Sequence, residues 1–162
     1  MSQTLNAAIA VVGIDIGKNS FHIVGHDERL GGTLALAYSE KNHQTVVLIV
    51  EDEFLIRMDA VDMITSAGFE VVEAKDADEA IEILERRLDI TIVFTDVHMP
   101  GSMDGLKLAA AIRGRWPPIK IVATSGKAKL SADDLPSGSR FLAKPYSARE
   151  IVGTLRELTG VA

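Results

Sequence analysis

The sequence predicts a doubly wound α/β domain over residues 45–162, built on a five-stranded parallel sheet with helices on both faces. Short runs of apolar, largely β-branched residues alternate there with longer stretches whose apolar residues recur at helical spacing. Such short runs are typical of strands that are buried on both faces of a parallel sheet. The regular alternation of strands and helices indicates repeated βαβ units and hence this architecture.

The predicted strands are recognised by their short length and by the turn residues that bound them. The first is a run of Val, Leu and Ile with no polar interruption, and the later ones have a similar character. Each strand is followed by a stretch whose apolar residues recur at helical spacing, except the fourth strand, after which the helical pattern is weak. The strands are predicted at residues 46–50, 70–73, 90–95, 119–123 and 140–143.

The predicted helices are marked by apolar stripes and by their ends. Gly68 should end the first helix and Pro117 the third, because each residue disfavours further helical backbone. Ser147 and Glu150 form a capping-box pattern at the start of the last helix. Residues 126–139 are rich in Asp, Pro, Ser and Gly, so a short or irregular fourth helix is predicted there. The stripes of the other helices are Phe54, Met58, Val61 and Ile64; Ala77, Ala80, Ile81, Leu84 and Leu88; Leu108, Ala109 and Ile112; and Ile151, Leu155 and Leu158.

Residues 1–44 follow a different pattern and are predicted to form an N-terminal extension. Residues 9–16 and 21–24 have the composition of two strands around a turn signal, which indicates a β-hairpin. Residues 31–43 show little pattern and are predicted to be a linker. The boundary between the extension and the α/β domain is therefore placed between residues 44 and 45.

The composition narrows the classes of function. The chain of 162 residues has a formal net charge of -6 and no cysteine, which excludes disulfides and thiolate metal sites. An acidic domain is poorly suited to direct DNA binding, because neutralising phosphates requires clustered Lys and Arg. No apolar run reaches membrane-spanning length, and the N-terminus lacks the basic region of a secretory signal. We therefore expect a cytoplasmic protein that binds neither DNA nor a membrane.

Polar residues follow four of the predicted strands directly. Glu51 and Asp52 follow the first strand, Asp96 follows the third, and Ser125 and Lys144 follow the last two. In a doubly wound sheet the carboxyl ends of the strands form the edge at which ligands bind. Three carboxylates at one edge repel one another, and a hard divalent cation with oxygen ligands relieves that repulsion. These residues therefore predict a Mg²⁺ site.

The same residues are suited to phosphoryl transfer. A carboxylate beside Mg²⁺ can attack phosphorus to form an acyl phosphate. The charge on the transferring phosphoryl group would be stabilised by the ion and by the Lys144 ammonium group. The Ser125 hydroxyl group can donate a hydrogen bond to a phosphate oxygen.

Together, these motifs resemble the receiver domain of two-component response regulators over about residues 45–160. The resemblance implies a CheY-like, flavodoxin-like fold with Asp96 as the phosphoacceptor. It also implies that Mg²⁺ is bound by Glu51, Asp52 and Asp96 and by the backbone carbonyl of His98. The motifs that carry the resemblance are Glu51-Asp52, Asp96-Val97-His98-Met99-Pro100, Ser125-Gly126 and Lys144-Pro145.

Further roles are implied by the same resemblance. Ser125 and Lys144 would contact the phosphoryl group, and Pro145 would follow a cis peptide bond. Phe141 stands where the family has an aromatic residue that swings inward when Ser125 moves toward the phosphate. Phe141 lacks the hydroxyl group of the more common Tyr, so its movement cannot depend on a hydroxyl hydrogen bond.

The function implied is that of a single-domain response regulator, since no output module follows the last predicted helix. A sensor histidine kinase or a histidine phosphotransfer protein would phosphorylate Asp96, and the signal would pass to a downstream protein through contacts. The domain would not be an enzyme beyond its own phosphorylation and dephosphorylation. The sequence leaves open whether it forms a homodimer.

Two other functions compete with this interpretation. A metal-dependent phosphohydrolase can use the same aspartyl-phosphate chemistry, but such enzymes usually carry a second acid where this chain has His98. Residues 9–28 are similar to the start of IS110-type transposases, in which Asp15 would be a metal-binding residue of the nuclease. The later carboxylates that a two-metal nuclease needs do not follow. The segment is therefore interpreted as a fusion remnant of a transposase or as a mispredicted start, and not as a working nuclease.

Overall fold

A computed structural model describes residues 10–17, 20–27, 32–39, 44–126 and 134–160. The chain divides into two compact units, Met1–His43 and Gln44–Ala162. Within the described residues, no helix is both long enough and apolar enough to cross a membrane.

The N-terminal unit contains three antiparallel strands in the order β1-β2-β3. They are β1 (Ala10–Gly17), β2 (Ser20–Asp27) and β3 (Gly32–Ser39). The predicted linker over residues 31–43 is therefore wrong for the residues of β3. Larger apolar residues alternate with smaller residues from Leu34 to Tyr38, and this period of two is typical of a strand.

The C-terminal unit confirms the predicted α/β architecture. Its five strands are all parallel and lie in the order β5-β4-β6-β7-β8, so the chain runs first to one side of β4 and then to the other. The strands are β4 (Val46–Val50), β5 (Glu70–Ala74), β6 (Ile90–Asp96), β7 (Lys120–Ser125) and β8 (Arg140–Ala143). The described helices are α1 (Phe54–Ser66), α2 (Ala77–Arg86), α3 (Gly105–Arg115) and α4 (Ala148–Thr159). The predicted short fourth helix falls mainly on residues 127–133, which lie outside the described residues.

The core lies on both faces of this sheet, which explains the continuous apolar run of β4. Val46, Leu48 and Val50 belong to a buried cluster with side chains of α2 and α3. Val47 and Ile49 point to the other face, into a cluster with α1 and α4. Because side chains alternate between the faces of a strand, every residue of β4 has to be apolar.

The helix ends follow the predicted chemistry. Ser147 caps α4, where its hydroxyl group accepts from the Glu150 N–H and the Glu150 carboxylate accepts from the Ser147 N–H. Asp76 and Asp104 cap α2 and α3 through their side chains, although the sequence analysis did not assign these caps. Gly68 follows the C-terminus of α1 with a φ of 92°, a conformation that favours glycine.

The stripe predicted for α1 is wrong at its first two members. Ala60 and Ile64 are the buried residues of this helix, whereas Phe54 and Met58 are exposed. Leu55, between them, is 72% exposed. Helical spacing alone does not say which of several apolar residues faces the sheet, and α1 carries more apolar residues than one face can bury.

Candidate functional site

The strand register brings the predicted site residues to one edge of the sheet. Val50, the last residue of β4, lies beside Thr95 of β6, so Glu51 and Asp96 follow in adjacent positions. On the other side of β6, Asp96 pairs with Thr124 of β7. The next residue of β7 is Ser125, which pairs with the end of β8, immediately before Lys144.

Three carboxylates form the centre of this edge. Glu51, Asp52 and Asp96 each offer an oxygen, and these oxygens lie within 4.8 Å of one another. Glu51 is 3% exposed and Asp96 is 6% exposed, so water screens their charges poorly. Asp52 is more accessible. A site of this kind is electrostatically unfavourable unless a positive charge enters it.

Lys144 brings one positive charge into the cluster. Its Nζ lies 2.6 Å from Oε2 of Glu51 and 3.1 Å from Oδ2 of Asp96, and therefore bridges two of the three acids. Its backbone N–H donates to the Ser125 carbonyl at 2.8 Å, which ties the end of β8 to the end of β7. The peptide bond from Lys144 to Pro145 is cis.

The three carboxylates outnumber the ammonium group of Lys144 that contacts them, so the cluster keeps an excess of negative charge. Burial raises the pKa of Glu51, and the opposing hydrogen bond and charge of Lys144 do not cancel the effect. Burial acts to lower the pKa of Lys144, but the bond to Glu51 and the charge of Asp96 outweigh it and raise this pKa above its usual value. The raised pKa of Lys144 keeps its ammonium group charged beside the carboxylates. Clustered carboxylate oxygens with this excess charge are a donor set that fits Mg²⁺.

Ser125 and His98 meet beside the acceptor loop. The Ser125 Oγ lies 3.1 Å from the His98 Nδ1. The backbone N–H of His98 donates to Oδ1 of Asp96 at 3.3 Å. The family resemblance implies a role for the backbone carbonyl of His98 and none for its ring. The residue is exposed, but its ring is also a hydrogen-bond partner of a buried serine.

Phe141, the predicted switch residue, lies in β8 and pairs with Ala123 of β7. It is half-buried and packs against a small apolar cluster of Val97, Ala123 and Leu135, together with Leu106. Val97 directly follows Asp96, and Ala123 precedes the Thr124-Ser125 pair. The aromatic ring therefore contacts the segments that carry both Asp96 and Ser125.

Arg57 supports the metal-ligand loop, and sequence reasoning missed it. Its Nη1 donates to the backbone carbonyl of Glu51 at 2.6 Å, and its Nε pairs with Glu73 at 3.2 Å. The Arg57 side chain is only 14% exposed. Nothing in the sequence distinguishes this arginine from a helix arginine whose charge is exposed to solvent.

Gly105 was also missed, although it lies directly against the acceptor segment. A Cβ atom at this position would lie 2.0 Å from the backbone oxygen of Asp96. The Gly105 N–H donates to the Val97 carbonyl at 2.9 Å, so the start of α3 is bound to the loop after β6. Only a residue without a side chain permits this close approach.

The fold and the site define a class of protein: a doubly wound α/β domain with an acidic cluster and a lysine at the carboxyl edge of its parallel sheet. The family model described as "Response regulator receiver domain" matches residues 47–156. This chain therefore belongs to the response regulator receiver domain family.

Its relatives include proteins of several architectures. It is 40% identical over 116 residues to the sensor kinase CckA of Brucella abortus, covering 69% of this chain and 12% of that protein. It is 33% identical over 117 residues to the chemotaxis protein CheY of Thermotoga maritima, covering 70% of this chain and 96% of CheY. A solved response regulator receiver protein from Sinorhizobium medicae has a TM-score of 0.67 and 29% identity, covering 72% of this chain and 94% of that one.

Replacing Gly105 with alanine should destabilise the domain. The added methyl group meets backbone atoms rather than a flexible side chain, so we expect a loss of about 1–3 kcal/mol in the free energy of unfolding. Gly114→Ala is the matched control in the same helix, because a Cβ there meets nothing within 4 Å. Denaturant unfolding of the full chain measures both. Equal stability of the two variants would contradict the close approach.

Replacing Arg57 with methionine should also lower stability. The change leaves the Glu51 carbonyl and the Glu73 carboxylate without this partner, at an expected cost of about 1–3 kcal/mol. Arg86→Met is the control, because the pair of Arg86 and Glu82 is exposed, with an N–O distance of 3.7 Å, and should contribute about 0–1 kcal/mol. If thermal and denaturant unfolding show the same loss for both variants, Arg57 has no special role in supporting the loop.

Proposed function

We propose that this chain is the phosphoacceptor of a two-component phosphorelay, with Asp96 as the residue that is phosphorylated. The observation that carries the proposal is the position of Asp96, buried at the carboxyl edge beside two further acids and hydrogen-bonded to Lys144. Membership of the receiver family supports the same assignment. The donor would be a sensor histidine kinase or a histidine phosphotransfer protein.

Mg²⁺ would be held by Glu51, Asp52 and Asp96 and by the backbone carbonyl of His98. The close spacing of the three carboxylates and the burial of Glu51 and Asp96 support this assignment. When bound, the ion would offset negative charge on the three acids and on an incoming phosphoryl group.

The transfer itself exchanges one bond to phosphorus for another. An oxygen of the Asp96 carboxylate forms a bond to phosphorus while the bond from phosphorus to the donor imidazole nitrogen breaks. The imidazole leaves with the electron pair of that bond. The ammonium group of Lys144, already bonded to Asp96, stabilises the negative charge of the phosphoryl oxygens. Ser125 would donate a hydrogen bond to one of these oxygens.

The signal would leave the site through Ser125 and Phe141. Movement of Ser125 toward the phosphoryl group would open space near Ala123, and Phe141 already packs against that residue. A change in the position of Phe141 would alter the surface around β8 and thereby the affinity for a downstream protein.

The first turns of α1 offer a surface for the phosphoryl donor. We name as the α1 patch the exposed residues Phe54, Leu55 and Met58. A cleft of about 360 Å³ also lies along α1, and Lys144 of the acidic site contributes to its lining; the lining residues are Ile56, Asp59, Met63, Lys144, Pro145 and Tyr146. Exposed apolar side chains next to a reactive site are typical of protein docking surfaces. Such a surface fits the apolar face of a donor helix.

Several wider assignments follow from this function. We infer a cytoplasmic location, an output through protein contacts and a signalling rather than a catalytic role. The position two residues after Asp96 holds His98 and not the second acid expected of a phosphohydrolase.

We keep the division into an extension of residues 1–44 and a receiver domain of residues 45–162 as a proposal. The transposase-like origin of residues 9–28 also stays a prediction, with Asp15 located in β1.

Incubation with acetyl phosphate and Mg²⁺ tests the acceptor. The wild type should gain one phosphoryl group, Asp96→Asn should gain none, and chelation of Mg²⁺ should abolish the reaction. Asp62→Asn, an exposed acid on α1, is the control and should react like the wild type. Intact mass spectrometry at early times measures the product. Labelling of Asp96→Asn at the rate of the wild type would refute the assignment.

Transfer from the cognate histidine kinase tests the α1 patch. Leu55→Ser should lower the transfer rate about fivefold or more, because residues at the centre of an interface can contribute over 1 kcal/mol. The same variant should react normally with acetyl phosphate, since its site is intact. Leu88→Ser, at another apolar residue that is 95% exposed, is the matched control and should transfer normally. If both leucine variants retain the wild-type rate, the donor binds elsewhere.

A further inference from the structure

The hydrogen bond between the side chains of Ser125 and His98 is not part of the acceptor chemistry described above. Ser125 is 1% exposed at the end of β7, whereas His98 is exposed on the loop after β6. The bond joins Oγ of the serine to Nδ1 of the imidazole over 3.1 Å. It therefore links the hydroxyl group assigned to the phosphoryl group with a side chain that has no assigned role.

The loop that carries His98 is held firmly by its backbone. The His98 N–H donates to Asp96, the Val97 N–H donates to the Thr124 carbonyl at 2.9 Å, and the Val97 carbonyl accepts from Gly105. The two bonds of Val97, the residue between Asp96 and His98, anchor the loop to β7 and to α3. The imidazole ring therefore extends from a fixed point toward Ser125.

We propose that His98 is a positioning residue that holds the Ser125 hydroxyl group in its resting orientation, so that phosphorylation of Asp96 has to break this bond. The inference rests on the proposed function, because it concerns the response of Ser125 to a phosphoryl group. It assigns to the ring of His98 a role distinct from that of its backbone carbonyl.

The bond to His98 and a bond to the phosphoryl group compete because Ser125 has a limited number of hydrogens to donate. A serine hydroxyl group has one hydrogen to donate, and a neutral imidazole has one N–H and one bare nitrogen. We assign the hydrogen of this bond to Ser125 and the bare nitrogen to Nδ1, which leaves the N–H of the exposed ring at Nε2. The single hydrogen of Ser125 then cannot also serve a phosphoryl oxygen. The resting state is thereby favoured over the phosphorylated state.

Titration of the full chain with beryllofluoride in the presence of Mg²⁺ tests the proposal, since this complex mimics a phosphoryl group on a carboxylate. His98→Phe keeps an aromatic ring and the backbone carbonyl but removes the nitrogen acceptor. Loss of one competing hydrogen bond should tighten beryllofluoride binding about three- to tenfold. In the Ser125→Ala background the same replacement should change nothing, because the bond is already absent. Calorimetry or NMR measures the four dissociation constants of this cycle.

Two outcomes of the cycle would overturn the proposal. Unchanged or weaker binding by His98→Phe means that the ring does not restrain Ser125 or that it prepares Ser125 for the phosphoryl group. An equal gain in the Ser125→Ala background means that the ring acts without the hydroxyl group. Failure of the wild type to bind beryllofluoride would instead refute the proposed function, and the inference with it.

A second measurement needs neither phosphorylation nor the His98 variant. Nitrogen NMR of the ligand-free wild type should show an Nε2–H tautomer for His98, with an Nδ1 resonance that shifts in Ser125→Ala. An Nδ1–H tautomer, or an Nδ1 resonance that is the same in both proteins, would show that Ser125 does not donate to this ring. This result would overturn the inference while leaving Asp96 as the acceptor.

Discussion

The ion pairs of Lys144 with Glu51 and Asp96 are the interaction on which the site depends. Parallel pairing of β4 with β6 brings these acids side by side, and their burial strengthens the repulsion between them. Lys144 offsets part of this repulsion from the end of β8, across the sheet edge. The residual negative charge leaves the edge receptive to a cation and to a phosphoryl group that arrives with one.

A connected set of contacts around Asp96 would allow a change at this residue to affect other surfaces of the domain. Backbone bonds join the acceptor loop to β7 and to α3, and the Ser125 carbonyl accepts from Lys144. A side-chain hydrogen bond joins Ser125 to His98, and Phe141 packs against the apolar cluster that includes Val97. Each strand end at the site is thus bound to a neighbour. Under the proposed function, a rearrangement of Ser125 would alter the β8 surface, because closely packed elements do not deform independently.

Family membership shows which domain this chain shares with its relatives, but it does not describe the surface of that domain. The receiver domain of this chain is similar to part of a sensor kinase and to nearly the whole of a chemotaxis protein, and this chain spans only 12% of the former. The α1 patch lies within the matched residues 47–156, whereas the strands of the N-terminal unit lie outside them.

The sequence by itself determined the α/β class, the five parallel strands and the chemical groups at their ends, because burial on both faces leaves a pattern along the chain. It also determined the capping box of α4, a local interaction between residues three apart. Only the tertiary structure decided that Phe54 and Met58 are exposed. It also decided that Arg57 supports Glu51 and that Gly105 lies against Asp96. The hydrogen bond between His98 and Ser125 was likewise visible only in the structure. These contacts join elements that are distant along the chain or depend on helix rotation. The spacing of residues along a sequence shows neither how far apart they lie across the sheet edge nor which side of a helix packs against the sheet.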